Sequence, residues 1–212
     1  MHNVALLNVL RHLPSGELVM VGNTRLFWDP FYDRVRYGQA SHLFTAYQKL
    51  HDKHKGNKVL PSILGGDFNS APVSSVLSIM HQEDILSPDM DNHPSTFTVP
   101  LGTDQEVFQS YIDFSVELQP YIHEKEDDVL FKSAYANYRP GTTRDETYPA
   151  FTVYNQDFKG AYDHLFVNHR LTVKKILTIP EEADLQEETG LPNSNYPSDH
   201  LRLEMVVEIT PN

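Results

Sequence analysis

The stretch GGDFNS, residues 65–70, has residue types and a spacing that suit chemistry on a phosphate. Asp67 and Asn69 follow the apolar run KVLPSIL, and the alternation of a strand would place both side chains on one face. A carboxylate beside an amide can bind a hard cation or activate water, while the amide nitrogen donates to a phosphate oxygen. From this stretch alone, an Asx-type turn that simply ends a strand is the favoured interpretation.

Two more polar clusters lie beside apolar runs in the second half of the chain. Asp163 opens YDHLFVN and could orient a histidine, and His200 in YPSDHL is a candidate general base. Taken singly, His200 is one of eleven histidines and Asp163 is an ordinary cap or turn residue. The two clusters therefore carry weight only together.

The stretch VGNTRLFWDP ends an apolar run in polar side chains before an aromatic pair and a proline. Strands of α/β proteins that end in this way commonly carry functional residues. Arg25 supplies positive charge and a two-point phosphate contact, but it cannot exchange a proton near neutral pH. Asn23 and Arg25 are therefore candidate substrate-binding residues.

Apolar periodicity predicts the elements that position these residues. Strands are predicted for NVALLNVL, ELVMVGNT, KVLPSILGGDF, YDHLFVN, LTVKKILTI and LRLEMVVEI. Helices are predicted over 34–54 and from Pro72, and loops over 86–106 and 137–150. YDHLFVN and LTVKKILTI are expected to form a hairpin around His169 and Arg170. The order of elements indicates an α/β protein whose mixed sheet is covered by helices.

Composition narrows the classes of partner. The 212 residues include 17 basic and 29 acidic side chains, for a formal charge of −12, so nucleic acid and anionic membranes are not attracted at long range. A polyanionic substrate would need local contacts assisted by a cation. The chain has no cysteine, which excludes disulfides and thiolate metal sites and suits a reducing compartment. The sequence contains no apolar run of about 18 residues, so it predicts no membrane-spanning helix.

Four stretches together resemble the endonuclease/exonuclease/phosphatase superfamily: GNTRLFWDPFYDRVRYGQ, GGDFNSAP, FTVYNQDFKGAYDHLF and TGLPNSNYPSDHL. They are most similar to its deadenylase branch, which includes the carbon-catabolite-repression deadenylase, nocturnin, Angel and the fungal Ngl-type RNA exonucleases. The resemblance covers nearly the whole chain. It implies a DNase-I-like four-layer α/β sandwich, in which mixed β-sheets are flanked by helices.

The resemblance also implies an activity, a cofactor and a partner. The expected enzyme is a 3′–5′ exoribonuclease that uses Mg²⁺, with Mn²⁺ as the alternative, and shortens single-stranded RNA at a 3′ poly(A) tail. We expect an intracellular protein, with the cytoplasm as the first expectation and the nucleus and mitochondrion left open. A protein adaptor is compatible with this activity, and no membrane partner is expected.

The resemblance assigns roles to five residues at the site. Asp67 and Asn69 would bind the attacked phosphate and the water carried by the metal. Asp163 would orient His200, and His200 would act as the base or hold the phosphate. Asp199 would support the site from behind these residues.

Two further positions match the family's clamp for a terminal adenine. Pro30 in FWDP and Phe158 in DFKG would hold the base between a proline ring and an aromatic ring. Stacking suits an unpaired base and contributes about 1–3 kcal/mol per base. For Phe158, ordinary loop packing is the alternative.

Two departures from the family pattern limit what the resemblance implies. Arg25 stands where the family has a histidine, and an early segment with the family's metal-binding glutamate has no counterpart in the chain. Residues 1–212 are therefore expected to be the C-terminal two-thirds of a single, N-terminally truncated domain. Two alternatives remain: a catalytically impaired fragment that binds RNA or protein, and a phosphatase of an adenine-containing small molecule.

Overall fold

The computed structural model describes residues 3–81, 130–139, 141, 144–156, 158–185 and 190–210. Within them the chain forms nine strands and four helices. In chain order these are β1 (Ala5–Arg11), β2 (Leu18–Arg25), α1 (Asp33–His54), β3 (Ser62–Asp67), α2 (Ser75–His81), β4 (Phe131–Ser133), α3 (Arg144–Thr147), β5 (Val153–Tyr154), β6 (Lys159–Gly160), β7 (Asp163–Asn168), β8 (Leu171–Ile176), α4 (Glu182–Leu185) and β9 (Met205–Ile209).

A five-stranded mixed sheet forms the centre of the described structure. Its spatial order is β1–β2–β3–β7–β4. Strands β2 and β3 run parallel, whereas the β1–β2, β3–β7 and β7–β4 pairs are antiparallel. The prediction that KVLPSILGGDF contains a central strand is confirmed, since β3 lies in the middle of this sheet.

Helices α1 and α2 cover one face of the sheet. The buried core beneath them takes alternate residues of the strands, including Met20, Leu64 and Phe166, which pack with Phe44 and Tyr47 of α1. Burying such side chains is the main favourable contribution to folding. The helix predicted over 34–54 is confirmed and begins one residue earlier.

The second helix begins later than the sequence predicts. Pro72 lies before the helix, and α2 starts at Ser75. The Ser74 hydroxyl accepts a hydrogen bond from the Leu77 N–H at 3.4 Å, which is the position of a side-chain cap at a helix N-terminus. A serine cap, not the proline, therefore marks this boundary.

The predicted hairpin between YDHLFVN and LTVKKILTI is wrong. Strand β7 belongs to the five-stranded sheet, whereas β8 pairs antiparallel with β9 in a separate two-stranded sheet. Arg170 explains the change of direction, because its buried guanidinium donates to the Thr210 carbonyl oxygen from Nε at 3.1 Å and from Nη2 at 2.8 Å. The turn after β7 is thus tied to the end of β9.

A second apolar cluster packs on the face of the five-stranded sheet opposite helices α1 and α2. Its buried members are Tyr135, Phe151, Ile179, Leu185, Leu191 and Leu201, and Leu165 of β7 and Ile176 of β8 pack against them. Leu165 alternates with His164 and Phe166 along β7, so it lies on the sheet face opposite the helices. The described residues thus contain a helical layer, a mixed sheet and a further layer behind it.

The predicted loops lie only partly within the described residues. The segment 86–106 lies outside them, and within 137–150 the described part contains the short helix α3. No helix among the described residues is long and apolar enough to cross a membrane.

Candidate active site

Strand register brings three charged residues into one row. Arg25 ends β2, Asp67 ends β3 and Asp163 begins β7, and Asp67 is the register partner of both Arg25 and Asp163. Directly opposed side chains on neighbouring strands lie about 5 Å apart at Cβ and share one face of the sheet. We call Arg25, Asp67 and Asp163 the charged row. It places one cation and two carboxylates side by side.

A turn, and not strand alternation, positions Asn69. Strand β3 ends at Asp67, and the Asp67 Oδ1 accepts a hydrogen bond from the Asn69 N–H at 2.9 Å, which is the Asx-type turn. Asn69 has a left-handed backbone with φ of 47°, and its Nδ2 donates to the Leu26 carbonyl oxygen at 3.0 Å. The expectation that alternation alone aligns the two side chains is wrong, although the two residues do lie together.

Gly66 lets β3 approach β2 closely just before Asp67. Its φ is 142°, and a Cβ at this position would stand 1.9 Å from the carbonyl oxygen of Thr24. Any other residue would force the two strands apart or distort the backbone. Glycine at position 66 is thus a condition for the register that forms the charged row.

His200 is held against the Asp163 carboxylate. Its Nδ1 lies 3.1 Å from Asp163 Oδ1 and 3.0 Å from Oδ2. Because a carboxylate only accepts, Nδ1 carries the donated proton, and Nε2 is the ring nitrogen left to accept one. The His200 side chain is 31% exposed, so solvent or a substrate can reach it.

Thr152 supports this pair and was not predicted from the sequence. Its side-chain oxygen donates to Asp163 Oδ2 at 2.8 Å and accepts from the backbone N–H groups of Tyr162 and Asp163, each at 3.0 Å. Thr152 is 1% exposed. The one available signal was a single hydroxyl between Phe151 and Val153 in an apolar run, and such a signal does not distinguish a functional threonine.

Burial and neighbouring charges shift the pKa values of two site residues. Burial raises the pKa of Asp67, and the nearby Asp163 carboxylate raises it further against the lowering effect of the Asn69 N–H bond. The hydrogen bond to Asp163 is the main cause that raises the pKa of His200. Titratable groups with shifted pKa values that lie close together are typical of functional sites.

Arg25 pairs with Asp67 only loosely. Its Nε lies 3.3 Å from Asp67 Oδ2, and its side chain is 68% exposed. That Oδ2 atom is buried and makes no hydrogen bond within the part of the chain that the structure describes. Because the Arg25 side of this pair is largely in solvent, the pair contributes about 1 kcal/mol or less. A better ligand can therefore displace Arg25 from Asp67.

The oxygen donors here fit a hard divalent cation that keeps most of its water. Asp67 Oδ2 is a carboxylate oxygen without a hydrogen bond, and Asn69 adds an amide beside it. No group of three or more His, Cys, Asp or Glu side chains that could hold a metal occurs in the described ranges. Mg²⁺ usually binds through one or two carboxylates together with waters and substrate phosphate. Asp67 and Asn69 are the residues here that could hold a divalent cation, with Asn69 acting through water.

The remaining predicted residues lie around the charged row. Asn23 is exposed two positions before Arg25 and therefore on the same face of β2. Asp199 accepts a hydrogen bond from Asn155 Nδ2 at 3.4 Å, and its carbonyl oxygen accepts from the Tyr154 N–H at 3.0 Å. Asp199 thereby ties the segment that carries His200 to β5.

Pro30 and Phe158 lie in two separate loops. Pro30 is exposed between β2 and α1, and Phe158 lies between β5 and β6. The Phe158 ring packs on Tyr162 with centroids 4.9 Å apart and planes tilted by 35°, and the residue remains 45% exposed. Part of the Phe158 ring is thus available for stacking.

Curated relatives match almost the whole chain, which spans only about a third of their length or less. The "Probable CCR4-Not complex 3′-5′-exoribonuclease subunit Ccr4" of Encephalitozoon cuniculi is 28% identical over 202 residues, 95% of this chain and 34% of that protein. The CCR4-Not complex 3′-5′-exoribonuclease subunit Ccr4 of Yarrowia lipolytica is 26% identical over 223 residues, 95% of this chain and 27% of that protein.

Solved structures support the fold assignment. The human Nocturnin catalytic domain with bound sulfate superposes with a TM-score of 0.60 at 19% identity, over 99% of this chain and 54% of that one. ANGEL2, a 2′,3′-cyclic phosphatase in complex with adenosine-2′,3′-vanadate, gives 0.67 at 22% identity, over 98% of this chain and 61% of that one. The predicted DNase-I-like α/β fold is confirmed.

A family profile matches most of the chain. The profile described as Endonuclease/Exonuclease/phosphatase family aligns with residues 8–200. This range contains every member of the charged row and ends at His200. The chain therefore belongs to the endonuclease/exonuclease/phosphatase family.

Proposed function

We propose that this chain carries the catalytic residues of a Mg²⁺-dependent 3′–5′ exoribonuclease that shortens single-stranded RNA, with a 3′ poly(A) tail as the preferred substrate. The single observation that carries the proposal is the hydrogen bonding of His200 to Asp163, the member of the charged row that lies in register beside Asp67. The names of the Ccr4 relatives support the same reaction. We also propose that residues 1–212 form the C-terminal two-thirds of a single catalytic domain.

His200 would act as the general base. Its Nε2 accepts a proton from the attacking water, while Asp163 holds Nδ1 and stabilises the imidazolium that forms. The water oxygen bonds to phosphorus and the bond from phosphorus to the 3′ oxygen breaks. The shortened strand leaves with a 3′ hydroxyl after that oxygen takes up a proton, and the released nucleotide keeps a 5′ phosphate.

Asp67, Asn69 and Arg25 would hold the phosphate in line for this attack. The guanidinium of Arg25 would contact two phosphate oxygens, and the second N–H of the Asn69 amide would donate to one while the first remains on the Leu26 carbonyl oxygen. When bound at Asp67, Mg²⁺ supplies positive charge that offsets the charge developing on the phosphate. Orienting groups of this kind convert binding into rate.

Pro30 and Phe158 would hold the terminal base. The exposed part of the Phe158 ring and the exposed Pro30 are suited to stack on a purine from its two sides. Stacking of this kind contributes about 1–3 kcal/mol per base. Adenine, which stacks strongly, is the base that we expect.

A specific observation supports a second candidate, an RNA-binding module without hydrolytic activity. Arg25 Nε lies 3.3 Å from Asp67 Oδ2, on the carboxylate that would hold the metal. Arginine cannot exchange a proton near neutral pH, unlike a histidine in this place. We rank hydrolysis first because the Arg25 side chain is largely exposed, so its pairing with Asp67 is weak enough for metal and phosphate to displace it.

Shortening of a 5′-labelled oligo(A) tests the proposal. We expect ladders of shortened product in Mg²⁺, no products in EDTA, and a rate at least 100-fold lower in Asp163→Asn. Glu208→Gln serves as the matched control, since Glu208 is an exposed carboxylate on β9 that pairs with Lys174. It should cut like the native chain.

Two results would redirect the assignment. If only Arg25→His shortens the oligomer, Arg25 blocks hydrolysis in the native chain and the binding module is the better description. If the native chain and Arg25→His are both inactive in Mg²⁺ and in Mn²⁺, residues 1–212 do not carry a working hydrolase and the proposal is wrong.

A further inference from the structure

The loop between β2 and α1 exposes two large aromatic rings beside the candidate active site. We call residues 26–32 the aromatic loop. Within it Trp28 is 66% exposed and Phe31 is 85% exposed, and Phe158 is the one other Phe or Trp that is exposed among the described residues. Leaving such rings in water forgoes the gain from burying them, so a cluster near a site indicates a binding surface.

The aromatic loop is firmly held, so the exposure of its rings does not come from a loose backbone. The buried guanidinium of Arg36 donates to the carbonyl oxygens of Asp29 and Pro30. Asp29 Oδ1 accepts from the Phe31 N–H at 3.0 Å. A buried cation bonded to two loop carbonyls fixes the path of the backbone from which the two rings project.

The base of the aromatic loop is bonded to the candidate active site. The Leu26 N–H donates to the Asp67 carbonyl oxygen at 2.9 Å, and the Leu26 carbonyl oxygen accepts from Asn69 Nδ2 at 3.0 Å. At the next residue of the loop, the Phe27 N–H donates to Gln39 Oε1 of α1 at 2.9 Å. The loop is thus anchored both to the site and to α1.

Trp28 lies three residues after Arg25 in the chain. Three residues of extended chain span at most about 10 Å, so the two Cα atoms lie within that distance. A phosphate held by Arg25 would leave the neighbouring base within reach of the Trp28 ring. Phe31, three residues farther along the loop, is within reach of the next base.

The charge of the chain favours stacking over further ionic contacts. A formal charge of −12 repels a polyanion at long range, and stacking on an uncharged ring does not depend on that charge. An aromatic surface next to the exposed Arg25 therefore suits an acidic protein that holds a nucleic acid strand.

We propose that Trp28 and Phe31 form a stacking surface for unpaired nucleobases of the strand that enters the site, on the 5′ side of the scissile phosphate. This surface is additional to the terminal-base clamp of Pro30 and Phe158. The inference rests on the proposed function for the position of the scissile phosphate, but the stacking itself does not require hydrolysis. The ligand class is single-stranded nucleic acid.

Fluorescence of the protein tests the contact directly, because Trp28 is the only tryptophan of the chain. Oligo(A) is titrated in EDTA, so that no cleavage occurs. We expect saturable quenching of the Trp28 emission at the same concentrations at which labelled oligo(A) binds. Trp28→Leu and Phe31→Ser should each weaken binding of labelled oligo(A) by roughly 5- to 100-fold, and Trp28→Phe should retain most of it.

Leu13→Ser is the matched control for loss of an exposed apolar side chain. Leu13 is 86% exposed in the turn between β1 and β2, and roughly 23 Å of strand separates that turn from Arg25. Its affinity for oligo(A) should stay within twofold of the native value. An abasic nucleotide placed beside the terminal one should weaken binding to the native chain and have no further effect in Trp28→Leu.

The inference is overturned if oligo(A) leaves the Trp28 emission unchanged, or if Trp28→Leu and Leu13→Ser bind equally well. Either result would show that the aromatic loop does not stack on the bases of the strand. Failure of the proposed function looks different. In that case the chain does not shorten oligo(A), but binding and its dependence on Trp28 persist.

Discussion

Replacing Thr152 with valine removes a hydroxyl that three groups share. The Thr152 hydroxyl donates to the Asp163 carboxylate at 2.8 Å and accepts from the N–H groups of Tyr162 and Asp163. A hydrogen bond to a charged group contributes about 1.5–3 kcal/mol, and each N–H left without an acceptor costs about 1 kcal/mol or more. Because Tyr162 and Asp163 are only partly buried, we expect the lower end of these values, a loss of about 3.5 kcal/mol in the free energy of unfolding.

The same substitution should slow catalysis by loosening Asp163, which orients His200. We expect kcat for oligo(A) shortening to fall by roughly 10- to 100-fold with little change in KM, since Thr152 positions the base and does not touch substrate. The pKa of His200 is raised mainly by its bond to Asp163. The acidic limb of the pH profile of kcat should therefore move to lower pH in Thr152→Val.

Thr152→Ser is the matched control, because it keeps the hydroxyl and loses only a methyl group. It should retain the pH profile of the native chain and most of its rate. Urea unfolding and kcat measured across pH provide the two readouts. The reasoning is refuted if Thr152→Val matches Thr152→Ser in unfolding free energy and in the position of the acidic limb.

Three further outcomes follow from the charges at the site. The kcat of the native chain should rise with pH through a pKa above 6.5, because protonated His200 cannot accept a proton. Asp163→Asn should move this rise to lower pH and reduce the rate roughly 10²- to 10⁴-fold. A pH-independent rate would contradict the role of His200. Asp67→Asn should abolish shortening yet raise the melting temperature at pH 7, because burial raises the carboxyl pKa and ionised Asp67 therefore destabilises the fold. That gain should vanish below pH 3.8, where the carboxyl is protonated in both states, and calorimetry at the two pH values checks the sign. Arg25→Ala should change the unfolding free energy by less than about 1 kcal/mol, because the largely exposed Arg25 side chain pairs only weakly with Asp67. It should raise KM for oligo(A), because the proposed phosphate contact is lost. An unchanged KM would exclude that contact.

Local pattern was enough to predict most of the elements. Strands β1 and β2, the helix over 34–54 and the strand before Asp67 all carry apolar residues at the period of their element. Each of these patterns is contained within one element, so no distant contact was needed to recognise it. The start of α2 was missed because Pro72 and Ser74 are both acceptable start signals, and the hydroxyl of Ser74 makes the cap.

Partner choice between strands could not be predicted in the same way. β7 and β8 are adjacent in sequence and were expected to pair, but β8 pairs with β9 and β7 with β3 and β4. The bonds of Arg170 to Thr210 that redirect the chain join residues 40 positions apart. Such contacts are set by packing and are not contained in a local pattern.

The sequence by itself determined which polar residues stand at the ends of apolar strands, and Arg25, Asp67, Asp163 and His200 were all recognised there. Only the tertiary structure decided that they meet. Their alignment depends on the register of β2, β3 and β7, and a shift of one residue would turn every side chain of a strand to the opposite face. That register is held by the close approach at Gly66 and by packing under α1, which are contacts between residues far apart in the chain. Thr152 became visible for the same reason, since its hydroxyl acquires a role only when β5 and β7 are brought together.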